Sequence, residues 1–297
     1  MIDGGAIAHA IARAIARDIV AAATRRVVPR VPFLIDGREV GSVATHHLGA
    51  LAAFADVLRA DGKGVELIAA ATQRDAVLSG INRALRASGL IRAWRDETYA
   101  LRDPQTLQPL ALIERAASRF WGTLTYGAHA TGFVVAADGR PGALWIARRS
   151  PSKATDPGLL DNMVGGGVPF DQTPQQALQR EAWEEAGLGP ELAAMARPAG
   201  ALALQRDVAE GLQHEWLHCF DIELPPGLMP QNQDGEVAAF ELMSPQQLLP
   251  LIGQGAMTVD SALVTLHFLQ RHHWLPESQN SFDTLATGVA DTPAHGE

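Results

Sequence analysis

The sequence predicts a mixed α/β protein in two parts, the larger one C-terminal and built on a mixed sheet. Three observations predict it. Apolar alternation of strand type gives way repeatedly to helical spacing and back along the chain. A glycine run, Gly165-Gly166-Gly167, leads into a short helix with full start and stop signals. Pro104 and Pro109 interrupt regular structure over 103–118, which sets a boundary between a small α/β unit (31–118) and a larger one (119–275).

The chain has 297 residues, enough for a full hydrophobic core without staples. Lys and Arg number 24 against 33 Asp and Glu, a net charge of -9. That balance argues against binding a nucleic acid polymer, which needs clustered positive charge. Cys219 is the single cysteine, so no internal disulfide and no zinc site of two or four cysteines can form, and a reducing cytoplasm is the expected home. No apolar run reaches the length of a membrane helix, so no membrane partner is expected.

In chain order, residues 1–30 read as an amphipathic helix, with Ile7, Ile11, Ile15 and Ile19 in helical spacing to pack on the protein or a partner. Arg13 and Arg17 break any signal-peptide core. PFLIDGREVGSVA reads as a hairpin turning at Asp36-Gly37. Residues 46–60 read as helix, 64–70 as a short strand, 72–88 as a helix closed by Gly89, and 97–101 as a strand. Nothing here gathers His, Cys or carboxylates as catalysis would need, so a structural or substrate-shaping role is expected. HATGFVVAADG and GALWIARRS read as strands joined at Asp138-Gly139. A glycine-rich loop and a helix follow, then strands at 199–206 and 215–224 and helices at 244–253 and 260–272. Residues 276–297 are polar, acidic and aperiodic, and read as a disordered tail.

The helix after the glycines carries the chemistry. Thr173 is a good N-cap, Pro174 suits the first helical position, Gln176 completes a capping box and Gly187 stops the helix. Glu181, Glu184 and Glu185 then share one face, within about 100° of arc. Three like charges there repel, which a hard cation such as Mg²⁺ or Mn²⁺ relieves. Arg180 is placed to orient the cluster, and the glycines let a backbone carbonyl approach the same cation. The competing reading is a solvated acidic helix.

GGGVPFDQTPQQALQREAWEEAGL resembles the signature of the Nudix hydrolases, G-x5-E-x7-R-E-U-x-E-E-x-G-U. Gly166, Arg180, Glu181, Glu184, Glu185 and Gly187 match in register, with Ala182 and Leu188 at the apolar positions. Such a match arises by chance about once in 10⁵ chains of this length. The first glutamate of the signature falls on Gln172, which keeps an acceptor but no charge; Asp171 adjoins it. The resemblance implies an α/β/α sandwich with a mixed sheet, preceded here by a small α/β N-terminal domain. It also implies a Mg²⁺-dependent (or Mn²⁺-dependent) hydrolase of diphosphates. Gly166, Glu181, Glu184 and Glu185 would be the metal ligands, and Arg180, Glu184 and Glu185 would belong to the catalytic group. A general base comes from the signature or a later loop, where Glu236 in NQDGEV is the candidate, placed beyond the last core strand.

TYGAHATGFV, LWIARRSPSKATDPGLLDNMVGGG, QDGEVAAFELM and, in the first unit, GLIRAWRDETYAL are similar to a Nudix subgroup. It is related to the Nudix domain fused to thiamine pyrophosphokinase in fungi. That resemblance implies thiamine diphosphate, or its oxo or oxy forms, as the small-molecule substrate. Cleavage to the monophosphate would be a metabolite repair, and a homodimer is the assembly considered. Arg148, Arg149 and Lys153 are candidates for diphosphate oxygens, or else a solvated turn. Trp94, Trp121 and Tyr126 are candidates for stacking on a cationic ring, or else core aromatics. Asp161 and Asn162 either bond a pyrimidine or shape a loop. Two further readings stay open: a nucleoside diphosphatase acting on 8-oxo-dGDP, and a diphosphate-binding protein impaired by Gln172.

His214-Glu215-Trp216-Leu217-His218 spells a zinc-protease string that requires a helix. Its flanks alternate as a strand, which would set the two histidines about 13 Å apart. A zinc role is therefore not expected, and Cys219 beside it reads as a small buried residue.

Overall fold

The computed structural model describes residues 4–275, with side chains from residue 10 onward. The expected tail, 276–297, lies outside the described residues.

Helix α1 (Gly4–Ala23) opens the chain. Its packed face is Ala12, Ala16 and Ala23, flanked by Ile15, Ile19 and Val20, while Ile11 is exposed. Alanines fill the centre of the contact, where they let two helices approach closely, and Ile15 and Ile19 of the expected row pack at its edges. Ile7 lies outside the described side chains.

The N-terminal body follows. Strands β1 (Arg30–Ile35) and β2 (Arg38–Ala44) form the predicted hairpin, and Asp36 and Gly37 both take left-handed backbone at its tip. The expected 46–60 helix is instead a 3-10 turn, the four-residue α2 (Leu48–Leu51), a second 3-10 turn and strand β3 (Leu58–Asp61). Ala, Leu and Phe in that stretch carry no period long enough to sustain a helix. Strand β4 (Gly64–Leu67) pairs with β1 in parallel and with β3 antiparallel, giving the order β2-β1-β4-β3. Helix α3 (Arg74–Ala87) is closed by left-handed Gly89. Hairpin β5 (Thr98–Arg102) and β6 (Pro109–Glu114) packs beside it. The core of this body also takes Phe120 and Trp121 from α4 (Ser118–Trp121), three residues past the expected boundary.

The C-terminal body is an α/β/α sandwich on a seven-stranded mixed sheet. Its strands are β7 (Leu124–Val135), β8 (Pro141–Arg149), β9 (Leu160–Asp161), β10 (Val164–Gly167), β11 (Arg197–Val208), β12 (Gly211–Glu223) and β13 (Val237–Met243). The main order is β11-β12-β7-β8-β13, with β10 added to β7 and β9 to β8; only β12 and β7 run parallel. Helices α5 (Pro174–Ala186) and α6 (Pro190–Ala193) cover one face, α7 (Pro245–Gly253) and α8 (Val259–Arg271) the other. Strand alternation sorts side chains between the two layers. Leu144, Ile146, Leu217 and Cys219 meet α7 and α8, while Ala128, Ala130, Trp145 and Ile222 meet α5. Helix α1 lies over α7 and α8, so the first helix joins the C-terminal body. Among the described residues no helix is long and apolar enough to cross a membrane.

The glycine run is not a loop but strand β10, registered on Gly127–Ala130 of β7. A run of glycines hides a strand because it has no side chains to alternate. A Cβ at Gly165 would crowd the His129 ring, one at Gly166 would overlap Glu181, and one at Gly167 would overlap Tyr99. Strand β13 was invisible for a related reason: it is an edge strand with few buried residues.

Candidate active site

Helix α5 forms as its caps dictate. The Thr173 hydroxyl accepts from the Gln176 N–H, the Gln176 side chain accepts from the Thr173 N–H, and Gly187 ends the helix in left-handed backbone. Ala177, Leu178 and Ala182 bury one stripe against the sheet. This fixes the rotation of α5 and turns Glu181, Glu184 and Glu185 toward β10.

The three glutamates line a cavity of about 180 Å³ between the two bodies. Glu185 is buried and accepts from the Gly165 N–H at 2.9 Å, with the Lys153 ammonium 3.6 Å away. Burial, and then Glu181, push its carboxyl up to about 8 despite Lys153. Burial likewise raises Glu181, against the pull of Arg180 and Arg115. Arg180 contacts Glu181 at 2.9 Å and Glu184 at 2.8 Å. Burial opposes its charge, but those two carboxylates outweigh it and keep the guanidinium protonated. The Arg180 Nε also donates to Gln172 at 3.4 Å. Gln172 therefore sits on the arginine, outside the group of three carboxylates.

Among the described residues no three His, Cys, Asp or Glu side chains stand together as a finished metal cage. Arg180 pairs with Glu181 and Glu184, and a backbone N–H holds Glu185. Donor type and charge nevertheless fit a hard divalent cation. Ten carboxylates line the cavity against seven Lys and Arg side chains, and two buried glutamates are held away from their ionised form. A divalent cation bound beside them would restore both charges. Gly166 is in the same lining, and a side chain there would displace Glu181.

The other expected residues divide. Lys153 and Arg149 line the cavity. Lys153 is almost fully buried and bridges Glu236 and Glu185. Arg149 is fixed by Asp161 at 2.6 Å and by the Thr155 carbonyl at 2.8 Å. Arg148 does not reach the cavity: it is next in strand β8, points to the other face and pairs with Glu241 at 2.9 Å. Asn162 does not line it either; it is buried behind it, contacting His129 at 3.0 Å and donating to Thr265 at 3.0 Å. Asp161 lines the cavity and accepts from Ser261.

Glu236 stands just before β13, not beyond the last strand, because β13 follows it. Two cations from different bodies hold it, Lys153 and Arg95, the latter at 2.9 Å. Burial opposes ionisation there, but Lys153 and Arg95 outweigh it and keep the carboxyl below its usual range. Of the aromatic candidates, Trp121 is fully buried, 4.4 Å from Phe33, with its Nε1 donating to Asn82. Tyr126 faces a separate hollow beside Phe170. Trp94 lies at the cavity mouth with Arg95 and Lys153, its Nε1 donating to Asp96.

Sequence reasoning allowed the N-terminal body a substrate-shaping role but missed the charged residues it supplies. Arg95, Glu97, Arg115 and Arg119 all line the cavity. The signal was the charged run Arg95-Asp96-Glu97 inside GLIRAWRDETYAL. It also missed Glu215, the middle of the discarded zinc string, which reaches the cavity from β12. The string is a strand, as its alternation predicts.

Comparison with known proteins accords with this geometry. The NUDIX domain family matches residues 125–260, and a domain of unknown function (DUF4743) matches residues 12–125. Nudix hydrolase 20, chloroplastic, of Arabidopsis thaliana is 31% identical over 267 residues, covering 85% of this chain and 71% of its own. Nudix hydrolase 24, chloroplastic, of the same plant is 31% identical over 260 residues with the same coverage. A crystal structure of DR0079 from Deinococcus radiodurans is 24% identical, with a TM-score of 0.45 over 60% of this chain and 99% of that one. The chain belongs to the Nudix hydrolase family. That membership makes it a pyrophosphohydrolase, a class that generally works with a divalent metal.

Proposed function

We propose that the chain is a Mg²⁺- or Mn²⁺-dependent hydrolase that cuts thiamine diphosphate, or its oxo and oxy forms, to the monophosphate. The observation that carries this reading is the shared cavity, in which the carboxylates of α5 face cations from both bodies. Its size and charge suit one small diphosphate. The thiamine assignment draws on the subgroup resemblance, whose first segment, GLIRAWRDETYAL, supplies Arg95 and Glu97 to that cavity.

Glu181, Glu184 and Glu185, with the Gly166 carbonyl, would hold the divalent cation. When bound, it supplies neutralisation of phosphate oxygens and a more acidic water. Arg180 keeps Glu181 and Glu184 oriented toward the cavity. Lys153 and Arg149 present positive charge to the diphosphate oxygens. Glu236 accepts the proton of the attacking water once an anionic substrate competes for Lys153 and Arg95; while both hold it, it is a weak base. Gln172 leaves the three carboxylates intact, since its contact is with Arg180.

The test is phosphate release with Mg²⁺ from thiamine diphosphate, its oxo and oxy forms, 8-oxo-dGDP and ADP-ribose, the last with added phosphatase. The highest kcat/KM on a thiamine compound is expected. Preference for 8-oxo-dGDP would overturn the substrate and keep the chemistry; tight binding without turnover would overturn the enzyme reading.

A further inference from the structure

The cavity continues between the two bodies into a second hollow of about 90 Å³. Four arginines, Arg92, Arg95, Arg115 and Arg119, line it with Glu210 and Glu215, whereas carboxylates outnumber cations beside α5. Arg95, Arg115 and Arg119 stand at the junction of the two hollows, paired with Glu236, Glu97 and Glu210. All four arginines come from the N-terminal body or from α4 at its edge.

Two further features point to a ligand. Tyr99, at 5% exposure, lines this hollow as well as the one beside Phe170, and its buried hydroxyl has no hydrogen-bond partner among the described residues. An unpaired buried hydroxyl is costly unless a ligand or water completes it. The strap carrying Arg92 and Arg95 also holds Ala93 and Asp96 in left-handed backbone (φ 57° and 60°), a conformation that costs free energy in non-glycine residues. Asp96 and Glu114 pin it, through Trp94 Nε1 and the Arg95 N–H. The strain is kept where it sets Arg92 at the hollow and Arg95 between the hollow and Glu236. Arg92 donates only to the Gly89 carbonyl and has no carboxylate partner among the described residues, so its charge faces the hollow uncompensated.

We propose that this hollow seats the terminal phosphoryl group, which makes the N-terminal body a selector for diphosphates substituted at one end only. The inference rests on the proposed function for the chemistry at α5 and deepens it. A diphosphate with a free end carries about three negative charges near neutral pH, and one capped at both ends about two. The extra charge sits on the terminal oxygens, where planar guanidinium groups bind in bidentate fashion. The two cavities thus divide the labour: cation near the bond that breaks, arginines on the phosphate that leaves.

The test uses binding, so that it does not depend on turnover or on the organic group. Monomethyl methylenediphosphonate and its P,P′-dimethyl ester are titrated by calorimetry into the full chain with Mg²⁺. The wild-type protein should bind the singly capped compound about 10-fold more tightly than the doubly capped one. Arg92→Gln should shrink that ratio several-fold. Glu210→Gln, which releases Arg119 from a 3.3 Å ion pair, should widen it. Opposite effects from two rim substitutions would not arise from a folding defect, and thermal melts of both variants check the fold. An unchanged ratio in both variants, an equal loss on both compounds, or binding of neither would overturn the inference. Cleavage of thiamine diphosphate alongside an unchanged ratio would leave the proposed function standing without it. The expected ratios without cleavage of any thiamine compound would do the reverse.

Discussion

At the scale of single residues, the site rests on carboxylates held where water would not keep them. Glu184→Gln and Glu185→Gln should each lower Mg²⁺-dependent kcat/KM by about 100-fold or more while circular dichroism stays native. Near-normal rates in either would remove both from the metal group. Gly166→Ala makes a sharper probe: its methyl group would land on the Glu181 carboxylate, the movable end of a side chain. It should cost activity far more than melting temperature. EDTA should stop the reaction, and added Mg²⁺ should restore it. The signature glutamates and Arg180 were legible because their order in the chain is their order in space along one helix. Arg148 and Asn162 were misplaced for the opposite reason. Which side of strand β8 an arginine takes depends on its neighbours, and Glu241 on β13, an edge strand without a visible pattern, captures Arg148.

Among the elements, β10 and hairpin β5–β6 interlock: Gly167 of β10 lies under the Tyr99 hydroxyl and the Arg115 guanidinium. Gly167→Ala should therefore destabilise the fold by about 1–3 kcal/mol, read as a lower melting temperature, because strand backbone and a buried ring must both shift. Two histidines set a pH dependence. Burial depresses His218 of β12 and His267 of α8 to about 4. The unfolded chain protonates these groups near 6.5, so it binds more protons than the native state between about 6.5 and 4. Their contribution is full above that window and is lost as pH falls through it. Glu185, raised to about 8, works in the opposite sense over this range, so the readout is a difference: on acidification from pH 7.5 to 5 the melting temperature of His218→Gln should fall less, or rise more, than that of the wild type. Capped helices and alternating strands were readable in advance. The 46–60 segment was not, since its short turns and β3 are stabilised by contacts with α4 and β4 rather than by any local period.

On the scale of the whole molecule, the chain visits its C-terminal body twice. After α1 has packed there, Asp207 at the end of β11 accepts from the Val27 and Val28 N–H groups at 2.6 and 2.8 Å, and only then does the N-terminal body begin. Removing residues 1–23 should expose the apolar faces of α7 and α8, lower the melting temperature by several degrees and increase binding of a hydrophobic dye. Unchanged melting would mean that α1 contributes no net stability. An amphipathic helix was legible from sequence, but its partner was not, because helical spacing says which face is apolar and nothing about which surface covers it. The same limit hid the role of Arg95 and Arg115: a charge run names no partner until the other body is in place.

The seat of α1 has a consequence for how the protein is made. Its partners α7 and α8 are translated about 230–250 residues later, which at ordinary ribosomal rates is on the order of 10–50 s. Through that interval the first helix has nowhere to dock. Its alanine and isoleucine face therefore stays uncovered until α8, the last of the described helices, has left the ribosome.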